Sequence, residues 1–287
     1  MFSKMNHRKL PTISIVTPSY NQAGYLEATM KSILDQGYPN LEYIIMDGGS
    51  TDGSAEIIRK YSDRLTHWES APDKGQADAI FRGFERATGE ILCYVNSDDL
   101  LLPGSLERVG SWFQSNPAEE WVVGGSVLID HEGKPIIRSR RGLPEADLGV
   151  KVTFKRLLLH NCGGFHQPAS FWRRKAFEEI GGFDRALRFC FDYDLFFRLA
   201  KRKPSGRIRS FLAAFRYHPT SKTSTLDSVF HEENETLWRR YGKYAHDDDY
   251  INRIASKEKR CDEWRNRLIK LGLYLNILKC PHFFWDK

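Results

Sequence analysis

The sequence predicts an α/β fold on a mostly parallel central sheet, with helices on both faces. Three observations predict it. Over residues 13–95, short apolar runs rich in β-branched side chains alternate with segments whose apolar residues recur at helical spacing. Each apolar run stops abruptly at a cluster of glycine, aspartate, serine or asparagine. No run approaches the roughly 20 apolar residues that a membrane-spanning helix needs.

The elements follow in order. Residues 13–17 read as a buried strand that ends at Pro18-Ser19-Tyr20-Asn21. A helix over 25–34 carries Leu26, Met30, Ile33 and Leu34 on one side. A second strand over 41–46 stops at Asp47-Gly48-Gly49-Ser50-Thr51-Asp52-Gly53-Ser54, and a helix over 55–61 follows. Residues 65–69 give a weaker third strand. Residues 76–87 give a helix with Ala79, Ile80, Gly83 and Phe84 on one side. The fourth strand, 91–95, runs into Asn96-Ser97-Asp98-Asp99. Further on, 121–130 and 135–139 flank a turn and predict a hairpin. Helices are expected over 152–160, 175–180, 192–201, 227–242 and 249–278, and strands over 169–173 and 208–217. Two units are expected: a domain over 11–220 and a C-terminal helical extension over 221–287.

The chain has 287 residues, with 43 Lys and Arg against 37 Asp and Glu, a formal net charge of +6. That excess suits an anionic ligand, a nucleic acid or an anionic membrane surface without choosing among them. The five cysteines are scattered with no Cys-x-x-Cys pair, which argues against a zinc ribbon and fits a reducing compartment. The first ten residues, MFSKMNHRKL, contain no apolar core of a signal peptide, so a cytoplasmic location is expected.

The strand-end clusters carry the chemistry. In an open α/β sheet, ligands bind outside the carboxyl ends of the strands. Asp47 and the Asp98–Asp99 pair would therefore face one crevice. Adjacent carboxylates repel and are costly to desolvate, a cost that a bound cation removes. Helix capping and turn formation explain such residues equally well when each is taken alone. The glycines form neither Gly-x-Gly-x-x-Gly nor a P-loop, so a dinucleotide fold and a P-loop NTPase are disfavoured.

Four segments, taken together and in order, resemble a family 2 glycosyltransferase of bacterial surface-polysaccharide type with the GT-A fold: ISIVTPSYNQAGYLEATMKSILDQGYPNLEYIIMDGGSTDGS, DKGQADAIFRGFERATGEILCYVNSDDLLLPGSLE, HQPASFWRRKAFEEIGGFD and FDYDLFFRLA. The resemblance spans about residues 11–220. It implies that Pro18 and Tyr20 line a nucleoside pocket, that Asp47 contacts base and ribose, and that Asp78 is a second nucleoside contact. It implies that Asp99 binds a divalent cation, Mn²⁺ or Mg²⁺, on the diphosphate, with Asp98 leaning toward the ribose. It makes Asp192 the catalytic base. The acidic residue that the family places before that base is Phe191 in this chain. Asp194, two positions on, is the rival base. His218 would complete the metal site or contact the diphosphate, Arg216 could pair with phosphate, and His166 and Gln167 would lie on the acceptor side.

The expected donor is a nucleotide sugar, UDP-linked first and GDP- or dTDP-linked otherwise. The expected acceptor is a hydroxyl of a glycan or lipid-linked glycan. A nucleotidyltransferase is disfavoured because Pro18-Ser19-Tyr20-Asn21-Gln22 lacks a Gly-rich basic loop. A non-catalytic nucleotide-sugar binder is disfavoured because Asp99 and Asp192 are both present. No nucleic-acid motif is found. In the tail, Trp264, Leu268, Leu271 and Leu275 form one helical stripe among basic residues. That stripe would pack on the domain, meet a partner, or touch a membrane peripherally.

Overall fold

All seven side chains of β1 (Ile13–Ser19) are buried, as expected of a strand covered on both faces. The computed structural model describes residues 10–137, 145–159, 165–219, 221 and 228–242. From β1 the chain runs through α1 (Ala23–Leu34), β2 (Leu41–Asp47), α2 (Ser54–Lys60), β3 (His67–Ser70), α3 (Gln76–Arg86) and β4 (Ile91–Tyr94). β1 pairs in parallel with β2 on one side and with β4 on the other, and β2 pairs in parallel with β3. The chain thus builds outward from β1 to β3, then crosses back to lay β4 on the opposite side of β1. That reversal opens a crevice between the carboxyl ends of β1 and β4.

The second half is mixed. β5 (Leu100–Leu101) and α4 (Ser105–Ser115) precede β6 (Trp121–Ile129) and β7 (Ala146–Asp147). Then come α5 (Phe154–Leu159), β8 (Ser170–Arg173), α6 (Arg174–Glu179), α7 (Phe191–Arg202), β9 (Gly206–Arg216) and α8 (Ser228–Tyr241). β8 is antiparallel to both β4 and β6, β9 is parallel to β6, and β5 is antiparallel to β9. The order across the sheet is β3-β2-β1-β4-β8-β6-β9-β5, with β7 on β6.

The pleat of β1 sends alternate residues to opposite cores. Ile13 and Ile15 join Leu26, Met30 and Ile33 of α1 and Val109 and Phe113 of α4. Val16 faces Ile80 and Phe84 of α3 and a second core containing Trp121, Trp172, Phe191 and Phe196. Helices therefore cover both faces, as expected. Gly83 allows α3 to lie close on β1: a Cβ there would sit 2.4 Å from Val16 Cγ1.

Three elements differ from expectation. Leu65 belongs to the turn before β3, because its amide bonds Ser62 O and closes a 3₁₀ turn. Among the described residues, the second arm of the hairpin makes one bridge, Ile129 to Pro135, and Ile136 N donates to Leu128 O at 2.9 Å. β6 instead pairs with β7, from a stretch expected to be loop. The helix expected over 249–278 lies outside the described residues. α8 follows residue 220 yet packs on the domain, with Leu237 fully buried and Tyr241 stacked on Phe197 at 4.4 Å.

Candidate active site

A cleft of about 670 Å³ opens where the parallel strands end. Its walls are Pro18, Ser19, Tyr20 and Gln22 after β1, Gly48 after β2, Pro72 to Ala77 around the start of α3, and Asn96 to Asp98 after β4. Arg188, Phe189, Ala79 and Ser221 complete it. Of the residues singled out from the sequence, Pro18, Tyr20 and Asp98 stand on this wall. Asp47, Asp78, Asp99, Asp192, His166, Gln167 and His218 stand behind or beside it.

Asp47 is 3% exposed, and its carboxylate accepts hydrogen bonds from Ser50 N at 2.9 Å, Ser50 Oγ at 2.5 Å and Ser70 Oγ at 2.6 Å. It ties the loop after β2 to the end of β3. Asp78, in the first turn of α3, accepts from Lys74 N at 3.3 Å. The cleft carboxylate between them is Asp73, which the sequence reading passed over. A Cβ at Gly48 would approach Asp73 Oδ2 to 2.9 Å, so glycine is what allows Asp73 to reach the end of β2. Its place at a strand end, like that of Asp47, was the signal available.

The adjacent carboxylates after β4 face different ways. Asp99 is 1% exposed; its Oδ1 accepts the Arg216 amide at 2.9 Å and its Oδ2 the Asn96 side chain at 3.4 Å. Its backbone oxygen accepts from Thr29 Oγ1 at 2.8 Å. Burial, reinforced by the charge of Asp98, pushes the Asp99 carboxyl well above the usual range. Asp98 turns to the cleft, with its Oδ2 3.0 Å from His218 Nε2. Arg216 is not aimed at a phosphate. Its Nε donates to Asp98 O at 2.7 Å, and its Nη1 donates to Asp130 O at 2.9 Å and His131 O at 3.2 Å. The guanidinium lies 4.9 Å over the Tyr25 ring, and Tyr25 also packs on His218. Arg216 thus locks the Asp98–Asp99 turn to the β6 turn.

Among the described residues, no group of three or more His, Cys, Asp or Glu side chains gathers to hold a metal. Asp98 offers a carboxylate at the cleft, and the buried His218 backs it with Nε2 3.0 Å from Asp98 Oδ2. This fits a hard divalent cation that draws its remaining ligands from a substrate diphosphate and water.

Asp192 and Asp194 open α7 in unlike settings. Asp192 is partly exposed; its Oδ2 accepts from Tyr94 OH at 3.1 Å and its Oδ1 from Tyr193 N at 2.8 Å. Burial, then the Asp192 charge, push the Tyr94 hydroxyl well above its ordinary value, so it stays a donor. Asp194 is fully buried. Its Oδ2 takes Arg198 Nε at 2.7 Å, and its Oδ1 takes Arg240 Nη1 at 2.8 Å and Tyr241 OH at 2.6 Å. Those donors occupy both oxygens and pin α8 to α7. Asp194→Asn should therefore lower stability by about 3 kcal/mol, the scale for breaking a buried ion pair. Denaturant midpoints would check this, and an unchanged midpoint would contradict it. Phe191 is buried against Phe81, Tyr94 and Phe183.

Gln167 Nε2 donates to Tyr94 O at 2.9 Å, while its buried Oε1 has no hydrogen-bond partner among the described residues. His166 Nδ1 lies 2.6 Å from Ser126 Oγ and its ring stacks on Phe215. Burial holds the His166 pKa down at about 4, so the imidazole is neutral. The loops 138–149 and 159–167 fall partly outside the described residues.

A crevice at the strand-order reversal, with the Asp98 carboxylate on its wall, is the ligand site expected of an open α/β sheet. Residues 14–181 match the family described as Glycosyl transferase family 2, and the chain belongs to that family. An uncharacterized glycosyltransferase of Rickettsia felis is 30% identical over 234 residues, which cover 79% of this chain and 38% of that protein. The chain therefore spans well under half the length of that relative. Among solved structures, S. aureus TarS 1-349 in complex with UDP-GlcNAc superposes with a TM-score of 0.60 at 17% identity, covering 77% of this chain and 64% of that one. A mannosyltransferase, PcManGT from Pyrobaculum calidifontis, in complex with GDP-Man and Mn²⁺, gives 0.54 at 17% identity, covering 95% and 81%.

Proposed function

We propose that this protein transfers a glycosyl group from a nucleoside-diphosphate sugar to a hydroxyl of a glycan or lipid-linked acceptor, by single displacement with inversion. The observation that carries this reading is Asp98, backed by the buried His218, on a cleft whose floor is built from the carboxyl ends of β1, β2 and β4. Tyr20, which is 63% exposed, offers a ring face for the base, and Asp73 offers a carboxylate for its polar edge or the ribose. Asp98 and His218 would hold the divalent cation, which neutralises charge on the departing diphosphate when bound.

Asp192 would take the acceptor proton. Its carboxylate is oriented by Tyr94 and Tyr193 and is partly open to solvent. As the acceptor oxygen bonds to the anomeric carbon, the bond from that carbon to the diphosphate oxygen breaks. The nucleoside diphosphate leaves with that electron pair, and the proton passes to Asp192. The match with Glycosyl transferase family 2 supports the reaction class. The TarS complex with UDP-GlcNAc and the PcManGT complex with GDP-Man and Mn²⁺ support the donor class and a divalent cation.

The test is thermal unfolding with UDP, GDP, dTDP and CMP, each with and without Mn²⁺. A nucleotide at 100 times its Kd adds about 2.7 kcal/mol, a shift of several degrees for a chain of this size. One diphosphate, acting with Mn²⁺, is expected to give that shift, and its sugar conjugate is expected to release the same diphosphate. No shift with any nucleotide would sink the reading. Nucleoside triphosphate binding with pyrophosphate release would replace it by a nucleotidyltransferase.

A further inference from the structure

We propose that Glu233, on α8, is a positioning residue for the donor cleft; the inference rests on the transferase reading above. Its carboxylate receives three consecutive backbone amides. Oε1 accepts Arg188 N at 2.8 Å, and Oε2 accepts Phe189 N and Cys190 N, both at 2.9 Å. Arg188 and Phe189 are wall residues of the cleft, and Asp192 follows Cys190 by two positions. One carboxylate therefore sets the turn that forms a cleft wall and leads directly into the helix carrying the proposed base.

Cys190, at the N-cap of α7, makes no side-chain cap of its own, and its amide goes to Glu233. An amide left unpaired near a partly buried site costs about 1–3 kcal/mol, and bonds to a charged acceptor are the stronger kind. With that carboxylate removed, the turn must find water or change its backbone angles, and either displaces the wall. Glu233 is itself held rigidly. Leu237, four residues on, is fully buried, and Phe230 O lies 3.8 Å from Cys190 Sγ. The segment matching the family ends at residue 181, so this contact lies wholly outside it.

The test compares Glu233→Gln with Tyr241→Phe in the full chain. Glutamine keeps the shape but has one acceptor oxygen in place of two. Tyr241→Phe loosens α8 at Asp194 and leaves the Glu233 carboxylate in place. Calorimetry with Mn²⁺ and the diphosphate that shifts the wild type reads Kd, and hydrolysis of its sugar conjugate reads KM and kcat. Glu233→Gln should raise Kd and KM about tenfold, the scale of outer-shell partners at other sites, while Tyr241→Phe stays within about twofold of wild type in both. Equal Kd and KM in Glu233→Gln and wild type, or equal losses in the two variants, would overturn the proposal.

Hydrogen exchange on the wild-type chain needs no variant. The amides of Arg188 to Cys190 should exchange more slowly with nucleotide bound, because coupling between turn and cleft is reciprocal. Unchanged exchange overturns the proposal even if Glu233→Gln does not fold. A wild type that binds no nucleotide removes the transferase reading itself, whereas a wild type that binds and a Glu233→Gln that binds equally removes only this inference.

Discussion

Asp192→Asn should lower glycosyl transfer by about 10²–10⁴-fold, the usual contribution of a positioned general base, and leave nucleotide affinity near wild type. The substitution is close to isosteric. Asn Oδ1 can still accept from Tyr94 OH, and Tyr94 itself is buried and fixed by Phe191. What is lost is the basicity that relieves the acceptor hydroxyl of its proton. The drop should appear in kcat, with KM for the donor nearly unchanged, since the carboxylate acts on the acceptor. Asp194→Asn should behave in the opposite way. Its carboxylate is fully buried beneath Arg198, Arg240 and Tyr241, so stability falls first and activity only as folded protein is lost. Initial rates normalised to folded protein separate the two. Full turnover in Asp192→Asn would remove Asp192 from the chemistry.

The strand–helix alternation was legible because continuous apolar runs and helical spacing are local signals. β1, β2, β4, α1, α3 and α7 fall within a few residues of expectation for that reason. The mixed second half was less so. β7 is a two-residue strand whose existence depends on β6 lying beside it, and nothing in Ala146–Asp147 announces that. Site residues followed the same division. Asp98 could be found because it ends a strand. The split between Asp98 and Asp99 could not, because it is decided by the Arg216 amide arriving from β9, more than a hundred residues away. Arg216 read as a phosphate ligand from its charge alone; its actual partners are backbone carbonyls of the Asp98–Asp99 and Asp130–His131 turns. Glu233 was invisible for the same reason, since nothing in His231-Glu232-Glu233-Asn234-Glu235 marks which of the three acids meets the amides.

The division between the two adjacent carboxylates yields the second large effect. The family resemblance assigned the cation to Asp99 with His218, whereas we propose Asp98 with His218, because Asp98 lines the cleft and Asp99 is buried. Asp98→Asn should weaken Mn²⁺-dependent nucleotide binding by about 100-fold, or about 2.7 kcal/mol at 1.4 kcal/mol per decade, with the melting temperature of the free protein little changed. Its side chain reaches the cleft edge, and an asparagine amide can still hydrogen-bond the buried His218 Nε2, so no buried partner is orphaned. Asp99→Asn should do the reverse. Its Oδ1 can keep the Arg216 amide, but the new amide nitrogen would face the Asn96 donor that now approaches Oδ2. Two donors facing each other in a site 1% exposed cost about 1–3 kcal/mol of stability. Calorimetric titration of nucleotide with and without Mn²⁺, run beside melting curves on both variants, gives the two readouts independently. Loss of the Mn²⁺ effect in Asp99→Asn alone, at unchanged stability, would return the cation to Asp99. It would also require the turn to reopen on binding, because the Arg216 amide and the metal would then compete for the same buried carboxylate.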